Sequence, residues 1–247
     1  MTTLTYDDIL RLMEYNKPHP FNKKVMDNIF HVVKSYYWAF INKSKIDQHT
    51  FIGQEILNYK GMTGKKTRHL YNNLLDKPDA KYLEIGTWYG SSSISAVYKN
   101  KVDALFIDNW SQFGGDRHIF QNTIEKYITK ESSCELLESD CWKVNTNKIR
   151  KDFNIYLYDG GHTEEDHYQS LNYYYNNLDD VFIFIVDDWC WVDVRKGTWR
   201  AIKEKNLQVR FIQETFLSPE DLTGFPDHKG RETWWNGVAI FVLEKSS

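Results

Sequence analysis

The stretch Ile155-Tyr156-Leu157-Tyr158-Asp159-Gly160-Gly161-His162 has the pattern of a buried strand that ends in a carboxylate, two glycines and an imidazole. Asp159 and His162 flank the glycine pair, so both side chains can face one cleft at the end of the strand. Glycines permit a sharp turn and the close approach of a ligand. A second apolar run, residues 181–186, ends in Asp187 and Asp188. If the two runs are neighbouring parallel strands, three carboxylates and a histidine meet there, which predicts a metal and acid/base site.

Outward from this stretch, short apolar runs alternate with segments of helical spacing. The predicted strands cover residues 82–86, 104–108, 135–138, 155–158, 181–186, 207–213 and 237–243, and the predicted helices cover residues 91–98, 120–128, 166–176 and 198–205. This alternation implies parallel βαβ units with right-handed crossovers. An irregular segment separates the last two strands, so they are expected to pair as an antiparallel hairpin at the edge. The sequence therefore predicts an α/β protein with a doubly wound, mostly parallel, seven-stranded sheet.

The first part of the chain shows no strand pattern. Residues 1–78 are predicted to form a helical N-terminal extension or cap, and residues 79–247 the sheet domain. Asp7 or Asp8 is expected to cap a first helix, and apolar residues between positions 25 and 37 recur at spacings of three and four, as in a second helix. Residues 61–66, with two glycines and two lysines, interrupt this pattern. They are either a surface turn or a mobile loop that closes over a substrate.

Composition narrows the class of protein. The chain has 247 residues, of which 41% are hydrophobic and 26% charged, as expected for a folded globular protein. A formal net charge of −3 supplies no basic field, so no nucleic-acid partner is expected.

Three cysteines without CxxC spacing favour a reducing cytosol over a disulfide framework. The first ten residues do not resemble a signal peptide, and no apolar run is long enough to span a bilayer, so we expect a cytoplasmic location and no membrane partner.

The residues that follow the first predicted strand are Glu84-Ile85-Gly86-Thr87-Trp88-Tyr89-Gly90-Ser91. Ligands of doubly wound sheets bind at the carboxyl ends of the strands, near the switch point in strand order. Here the spacing is Glu-x-Gly-x-x-x-Gly, which differs from the Gly-x-Gly-x-x-Gly pattern that binds a dinucleotide pyrophosphate. The pattern instead suits a ligand with an α-amino acid group, because Glu84 can accept a hydrogen bond from its ammonium.

Carboxylates also follow the second and third predicted strands. Asp108 can accept hydrogen bonds from both hydroxyls of a ribose, or it can cap the next helix. Asp140 can accept from an adenine amino group, or it can likewise act as a cap.

Four tryptophans lie just past the ends of four different strands, namely Trp88, Trp110, Trp142 and Trp189. Each alone would be explained by core packing, but together they predict walls for a flat or sugar-like ligand. His118, His167 and His228 have no spacing typical of metal ligands and are predicted to lie at the surface.

The Glu84-to-Gly90 motif, Asp108 and the alternation around them resemble class I S-adenosylmethionine-dependent methyltransferases, which have a Rossmann-like fold. The pairing of Tyr158-Asp159-Gly160-Gly161-His162 with Val186-Asp187-Asp188-Trp189 is similar to the metal-dependent sugar O-methyltransferases typified by macrocin and mycinamicin O-methyltransferases. The resemblance covers roughly residues 81–189.

The resemblance implies an enzyme that uses S-adenosylmethionine and Mg²⁺. Its implied metal ligands are Asp159, Asp187 and Asp188, with His162 as general base and Asp159 also catalytic. The implied cofactor contacts are Glu84, Gly86, Thr87, Tyr89, Gly90, Ser91, Asp108, Asn109, Trp110, Asp140, Cys141 and Asp159. Oxygen ligands favour Mg²⁺, Mn²⁺ or Ca²⁺ over zinc.

The chemistry of the residues agrees with methyl transfer to a hydroxyl. A divalent cation lowers the pKa of a hydroxyl and fixes its oxygen, and an imidazole accepts a proton near neutral pH. A sugar or glycan hydroxyl is the expected acceptor, and a catechol-type or other small-molecule hydroxyl is the alternative. A non-catalytic ligand-binding protein of the same fold is a hypothesis from another class. A nicotinamide oxidoreductase is a third hypothesis, which the glycine spacing disfavours. The aromatic, helical N-terminal segment is compatible with a homodimer.

Overall fold

The computed structural model describes residues 22–41, 52–217 and 232–246, and within them it contains one seven-stranded sheet. The strands are β1 (Ala80–Ile85), β2 (Val102–Asp108), β3 (Ser133–Glu138), β4 (Phe153–Tyr158), β5 (Leu178–Asp187), β6 (Gln208–Thr215) and β7 (Val238–Glu244). The helices are α1 (Lys23–Phe40), α2 (Gln54–Leu57), α3 (Lys65–Leu75), α4 (Ser91–Val97), α5 (Arg117–Tyr127), α6 (Glu164–Tyr174) and α7 (Val192–Glu204). The predicted α/β alternation is confirmed.

The strand order β3-β2-β1-β4-β5-β7-β6 makes this sheet doubly wound. The first five strands are parallel, and β7 runs antiparallel between β5 and β6, which confirms the predicted edge hairpin. The order changes direction between β1 and β4, which is the switch point where ligands bind in such sheets. Ile85 pairs with Tyr158, and Tyr158 with Val186. The residues that follow these three strands therefore begin side by side.

Helices cover both faces of the sheet. On one face, side chains from α1, α3, α4 and α5 share a core cluster with the sheet, including Val25, Leu70, Ile94 and Phe120. On the other face, α6 and α7 pack on the sheet through residues such as Leu171 and Ala201. Because both faces are covered, β4 is buried along its whole length, and its residues 155–158 form an apolar run rather than an alternating pattern.

The helical segment before the sheet packs directly on it. Asn22 caps α1 by accepting from the backbone N–H of Val25, and the buried residues of α1 join the same core as α3. The helix expected to follow Asp7 or Asp8 lies outside the described residues. The division into residues 1–78 and 79–247 stays a prediction. Among the described residues, no helix has both the length and the apolar character needed to cross a membrane.

The start of α7 differs from the prediction. We expect this helix over residues 198–205, but the structure begins it at Val192. Gly197 is required inside the helix because a Cβ there would lie 2.1 Å from the carbonyl oxygen of Glu164. The close packing of α6 against α7 thus explains why a glycine lies inside this helix.

Candidate active site at the carboxyl edge of the sheet

A cavity of about 710 Å³ lies at the carboxyl ends of strands β1 to β5. Its walls come from the loops that follow these strands, from residues 62–63 and from residues 235–236. This volume is in the range of pockets that bind small-molecule ligands and cofactors. Most of the residues predicted from the sequence line it: Gly86, Thr87, Ser91, Asp108, Asn109, Trp110, Asp140, Cys141, Asp159, His162, Asp187 and Asp188. Glu84, Tyr89 and Gly90 do not.

The loop after β1 is a tight turn that rests against the loop after β4. Gly90 donates its N–H to the carbonyl oxygen of Thr87 at 2.7 Å. Gly86 has a φ of +85°, and a Cβ there would lie 1.9 Å from the carbonyl oxygen of Asp159. A side chain at position 86 would therefore separate the two loops, which explains why the motif needs glycine.

Glu84 lies beneath this turn and does not reach the cavity. Its Oε1 accepts hydrogen bonds from the hydroxyls of Ser92, at 2.6 Å, and Ser93, at 2.8 Å. Burial raises the pKa of this carboxyl to about 7, against the lowering effect of the serine hydrogen bonds. The structure therefore gives Glu84 a role in fixing the start of α4, while its Oε2 has no hydrogen-bond partner among the described residues. The expected contact with a ligand's ammonium group stays a prediction.

Asp108 joins the loops that follow β1 and β2. Its Oδ2 accepts from the backbone N–H groups of Thr87, at 2.7 Å, and Trp88, at 2.8 Å, and its Oδ1 accepts from the N–H of Trp110 at 2.7 Å. A carboxylate has about four acceptor positions. The Thr87 hydroxyl also donates to Oδ2, at 3.3 Å, so the open acceptor position is on Oδ1. The expected bidentate contact with a ribose stays a prediction.

Asp140 and Cys141 follow β3 at the other side of the cavity. Asp140 accepts from the N–H of Trp142 at 3.0 Å and forms an ion pair with Lys143, and these contacts hold the pKa of its carboxyl below the usual value. The capping role is therefore present, and the side chain also lines the cavity. Burial raises the pKa of the Cys141 thiol to about 12.

Three of the four expected tryptophan walls are present. Trp88, Trp110 and Trp142 line the cavity, and the indole N–H of Trp110 donates to the carbonyl oxygen of Trp88 at 2.9 Å. Trp189 was expected to be a fourth wall, and this is wrong. Its side chain is 0% exposed, packs on Phe241 and donates to Glu214. Trp191, which the sequence prediction missed, lines the cavity instead.

Residues 61–66 form part of the cavity wall rather than only a surface turn. The hydroxyl of Thr63 lies 2.8 Å from that of Ser91, and both are buried. A Cβ at Gly61 would lie 2.0 Å from the Ser91 hydroxyl, so the segment packs closely on the start of α4. Arg68 holds this segment, because its guanidinium donates to the carbonyl oxygens of Thr63, Ile56 and Tyr59.

The acidic residues after β4 and β5 come together as the sequence predicts. Ligand atoms of Asp159, His162 and Asp188 all lie within 4.8 Å of one another. Nε2 of His162 lies 2.5 Å from Oδ2 of Asp188, and the side-chain amide of Asn236 donates to the other oxygen of Asp188 at 2.6 Å. Asp188 has a φ of +54°, an unusual conformation that turns the chain directly after the strand.

Asp187 lies at the same edge of the sheet, but its oxygens are not among the ligand atoms that lie within 4.8 Å of one another. It is buried, and its Oδ1 has no hydrogen-bond partner among the described residues. Burial and the charges of neighbouring carboxylates raise the pKa of Asp187 and of Asp159 well above the usual value. None of the described residues that line the cavity is a lysine or arginine. Buried carboxylates without a cationic partner are unfavourable, and a hard divalent cation with oxygen ligands would neutralise them.

The imidazole of His162 is held by this cluster. Burial acts to lower its pKa, but the contact with Asp188 outweighs burial and raises the pKa above 6.5.

His167 was expected at the surface, and this is wrong. It is buried beneath the site because it lies on the inner side of α6. Its ring lies 4.9 Å from that of Tyr158, and burial lowers its pKa to about 3. His118 is exposed as expected, and His228 lies outside the described residues.

Comparison with known proteins identifies the fold. No family model matches the chain, and no curated protein matches its sequence. A candidate RNA methyltransferase from Pyrococcus horikoshii is similar in structure, with a TM-score of 0.51 and 15% identity over 85% of this chain and 97% of that protein. SMU.776, a candidate methyltransferase complexed with SAH, has a TM-score of 0.50 and 10% identity over 75% of this chain and 50% of the SMU.776 chain.

TrmN from Thermus thermophilus has a TM-score of 0.49 and 13% identity over 77% of this chain and 52% of the TrmN chain. The chain thus spans about half the length of TrmN and of SMU.776. At these identities the likeness concerns the fold alone. Together with the strand order, it shows that this chain has the Rossmann-like fold of the methyltransferases.

Proposed function

We propose that the protein is an S-adenosylmethionine-dependent O-methyltransferase that requires a divalent cation, with Mg²⁺ as the expected ion, and that acts on a hydroxyl of a sugar or glycan. The observation that carries the proposal is the convergence of Asp159, His162 and Asp188 within 4.8 Å, beside buried Asp187 and at the switch point of the sheet. An acid/base group and a set of oxygen ligands thus share one cavity with the loops after β1 and β2.

The proposed site for the methyl donor is formed by the loops after β1, β2 and β3. Thr87 and Ser91 line the part of the cavity nearest the Gly86 turn, where an amino acid group is expected to bind. The free acceptor position on Asp108 suits one hydroxyl of a ribose. Trp142, beside Asp140 and Cys141, offers an aromatic face for a purine. These residues bind and orient the donor, and the packed loops exclude water.

Asp159, Asp187 and Asp188 would hold the cation. When bound, S-adenosylmethionine supplies a methyl group on a sulfonium, and Mg²⁺ lowers the pKa of an adjacent hydroxyl. Nε2 of His162 lies against Oδ2 of Asp188, which holds the imidazole in the absence of the cation, and Asn236 in turn holds Asp188. Binding of the cation by Asp188 would release this nitrogen, which would then accept the proton of a hydroxyl placed there. Placing the hydroxyl in line with the methyl group supplies much of the expected acceleration.

Two other acceptors are less well supported. A catechol would present two adjacent oxygens to the same cluster, but a phenol ionises readily and has less need of His162. An RNA acceptor, by analogy with the candidate RNA methyltransferase of similar fold, would require cationic side chains at the mouth. The described residues that line the cavity include no lysine or arginine, and the net charge of the chain is −3.

Calorimetry with S-adenosylhomocysteine, with and without MgCl₂, tests the proposal together with a methyl-transfer assay. We expect saturable binding of S-adenosylhomocysteine and no comparable binding of NAD. We also expect the enzyme to transfer a labelled methyl group to methyl glycosides, and EDTA should abolish this transfer. Binding without transfer to any hydroxyl would favour a non-catalytic ligand-binding protein. Binding of NAD in place of S-adenosylhomocysteine would contradict the proposal.

A further inference from the structure

Trp191 exposes a large apolar surface beside the acidic cluster. The residue is 49% exposed and lines the cavity, and its ring centroid lies 5.0 Å from that of His162, with the two planes at 45°. Two residues earlier, Trp189 is completely buried and is explained by core packing. Core packing does not explain an indole that is half exposed at the mouth of a cavity.

The backbone that carries Trp191 is fixed on both sides. Its N–H donates to the carbonyl oxygen of Asp188 at 2.9 Å, and its carbonyl accepts from the N–H of Arg195 at the start of α7. The preceding N–H groups of Trp189 and Cys190 donate to the carbonyl oxygens of Gly237 and Asn236. The loop that carries the indole is therefore ordered before a ligand binds, so binding there does not have to order the backbone.

The surroundings of Trp191 define the chemistry of its ligand. The indole of Trp191 and the polar groups of Asp159, His162 and Asp188 line the same cavity, with the indole next to the imidazole. A ligand that satisfies both has a ring with an apolar face and hydroxyls around its edge, which describes a pyranose. Aromatic faces bind the C–H face of such rings, as they bind other flat apolar surfaces.

We infer that Trp191 is the platform on which the acceptor sugar ring stacks, and that it positions the reacting hydroxyl beside His162. This inference rests on the proposed function and adds the residue that selects the acceptor. Trp191 is a specificity-determining residue here, and His162 remains the proposed base.

The test compares Trp191→Ala and Trp191→Phe with Trp199→Ala. Trp199 is the matched control because it is also exposed on α7, at 42%, and packs on Phe241 without lining the cavity. Binding of methyl α-D-glucopyranoside, methyl α-D-mannopyranoside, methyl α-L-rhamnopyranoside and catechol is measured by saturation-transfer NMR in the presence of S-adenosylhomocysteine and MgCl₂. We expect Trp191→Ala to weaken binding of the preferred glycoside about tenfold. Trp191→Phe should retain most of the affinity, and Trp199→Ala should match the wild type.

Glycoside binding that Trp191→Ala leaves unchanged would overturn the inference, as would a wild-type protein that binds none of the glycosides. Catechol binding that alone depends on Trp191 would overturn the assignment to a sugar. Failure of the proposed function would appear differently. S-adenosylhomocysteine would then fail to bind all four proteins, whereas its affinity should be equal in all four if only the role of Trp191 is wrong.

Discussion

Replacing Asp159 by asparagine is expected to raise the stability of the ion-free protein and to abolish its response to Mg²⁺. The substitution keeps the shape of the side chain and removes one of three neighbouring acidic charges. Burial, followed by the charges of Asp187 and Asp188, raises the pKa of the Asp159 carboxyl well above the usual value of 3.8. Ionised Asp159 therefore destabilises the ion-free fold, and the neutral amide should relieve that repulsion.

The sign of the pH dependence follows from these raised pKa values. A carboxyl whose pKa is higher in the folded state contributes stability that is fully present below about pH 3.8 and is lost as the pH rises through the folded value. The free energy of unfolding of the ion-free wild type should therefore fall with increasing pH above 4, by up to about 1.4 kcal/mol per pH unit for each such group. Asp159→Asn should make this dependence shallower.

Thermal unfolding at neutral pH, in EDTA and in millimolar MgCl₂, measures both effects. We expect Asp159→Asn to raise Tm in EDTA by about 2–6 °C, and we expect Mg²⁺ to raise Tm of the wild type but not of Asp159→Asn. Asp193→Asn is the matched control, because Asp193 is an exposed carboxylate on α7 whose ion pair with Lys196 is long, at 3.8 Å. A variant that is destabilised in EDTA, or that still responds to Mg²⁺, would contradict the metal assignment.

Replacing His162 by alanine is expected to lower kcat for a sugar acceptor by about 10²–10⁴-fold, the usual contribution of general acid–base catalysis. The reason is that a sugar hydroxyl holds its proton tightly near neutral pH, and Nε2 of His162 is the atom proposed to accept it once the cation has taken Asp188, its contact in this structure. A catechol loses its proton more easily, so the same substitution should cost much less with that acceptor.

Steady-state kinetics with saturating S-adenosylmethionine and each acceptor provide the measurement. His118→Ala is the control, since His118 is exposed at the start of α5 and does not line the cavity. The affinity for S-adenosylhomocysteine should be unchanged in both variants. Equal losses of kcat with sugar and catechol would argue that His162 has a structural role, and an unchanged kcat with the sugar would remove it from the mechanism.

The sheet and the position of the acidic cluster could be predicted from the sequence because they depend on rules that act along the chain. Apolar runs such as residues 155–158 mark buried strands, and parallel strands bring the residues that follow them to one edge. The pairing of Ile85 with Tyr158, and of Tyr158 with Val186, then places Asp159 beside Asp187. The sequence prediction depended on the condition that β4 and β5 are neighbouring parallel strands, and the structure meets this condition.

The remaining features depend on contacts between distant segments, which no local pattern reveals. Asp108 is occupied by backbone N–H groups because the turns at Trp88 and Trp110 both adopt positive φ. Trp189 is buried and Trp191 exposed because the turn at Asp188 decides which indole faces the core. His167 was predicted to lie at the surface because its spacing is not that of a metal ligand, but the packing of α6 on the sheet buries it.

The central claim is that one divalent cation binds between the carboxylates that follow β4 and β5. Crystals grown with S-adenosylhomocysteine and soaked in Mn²⁺, as a stand-in for Mg²⁺, test it through anomalous scattering. We expect one strong anomalous peak within bonding distance of oxygens of Asp159 and Asp188, at the edge of the sheet where Asp187 also lies. A peak bound elsewhere, or none at a Mn²⁺ concentration that saturates the protein in solution, would contradict the account.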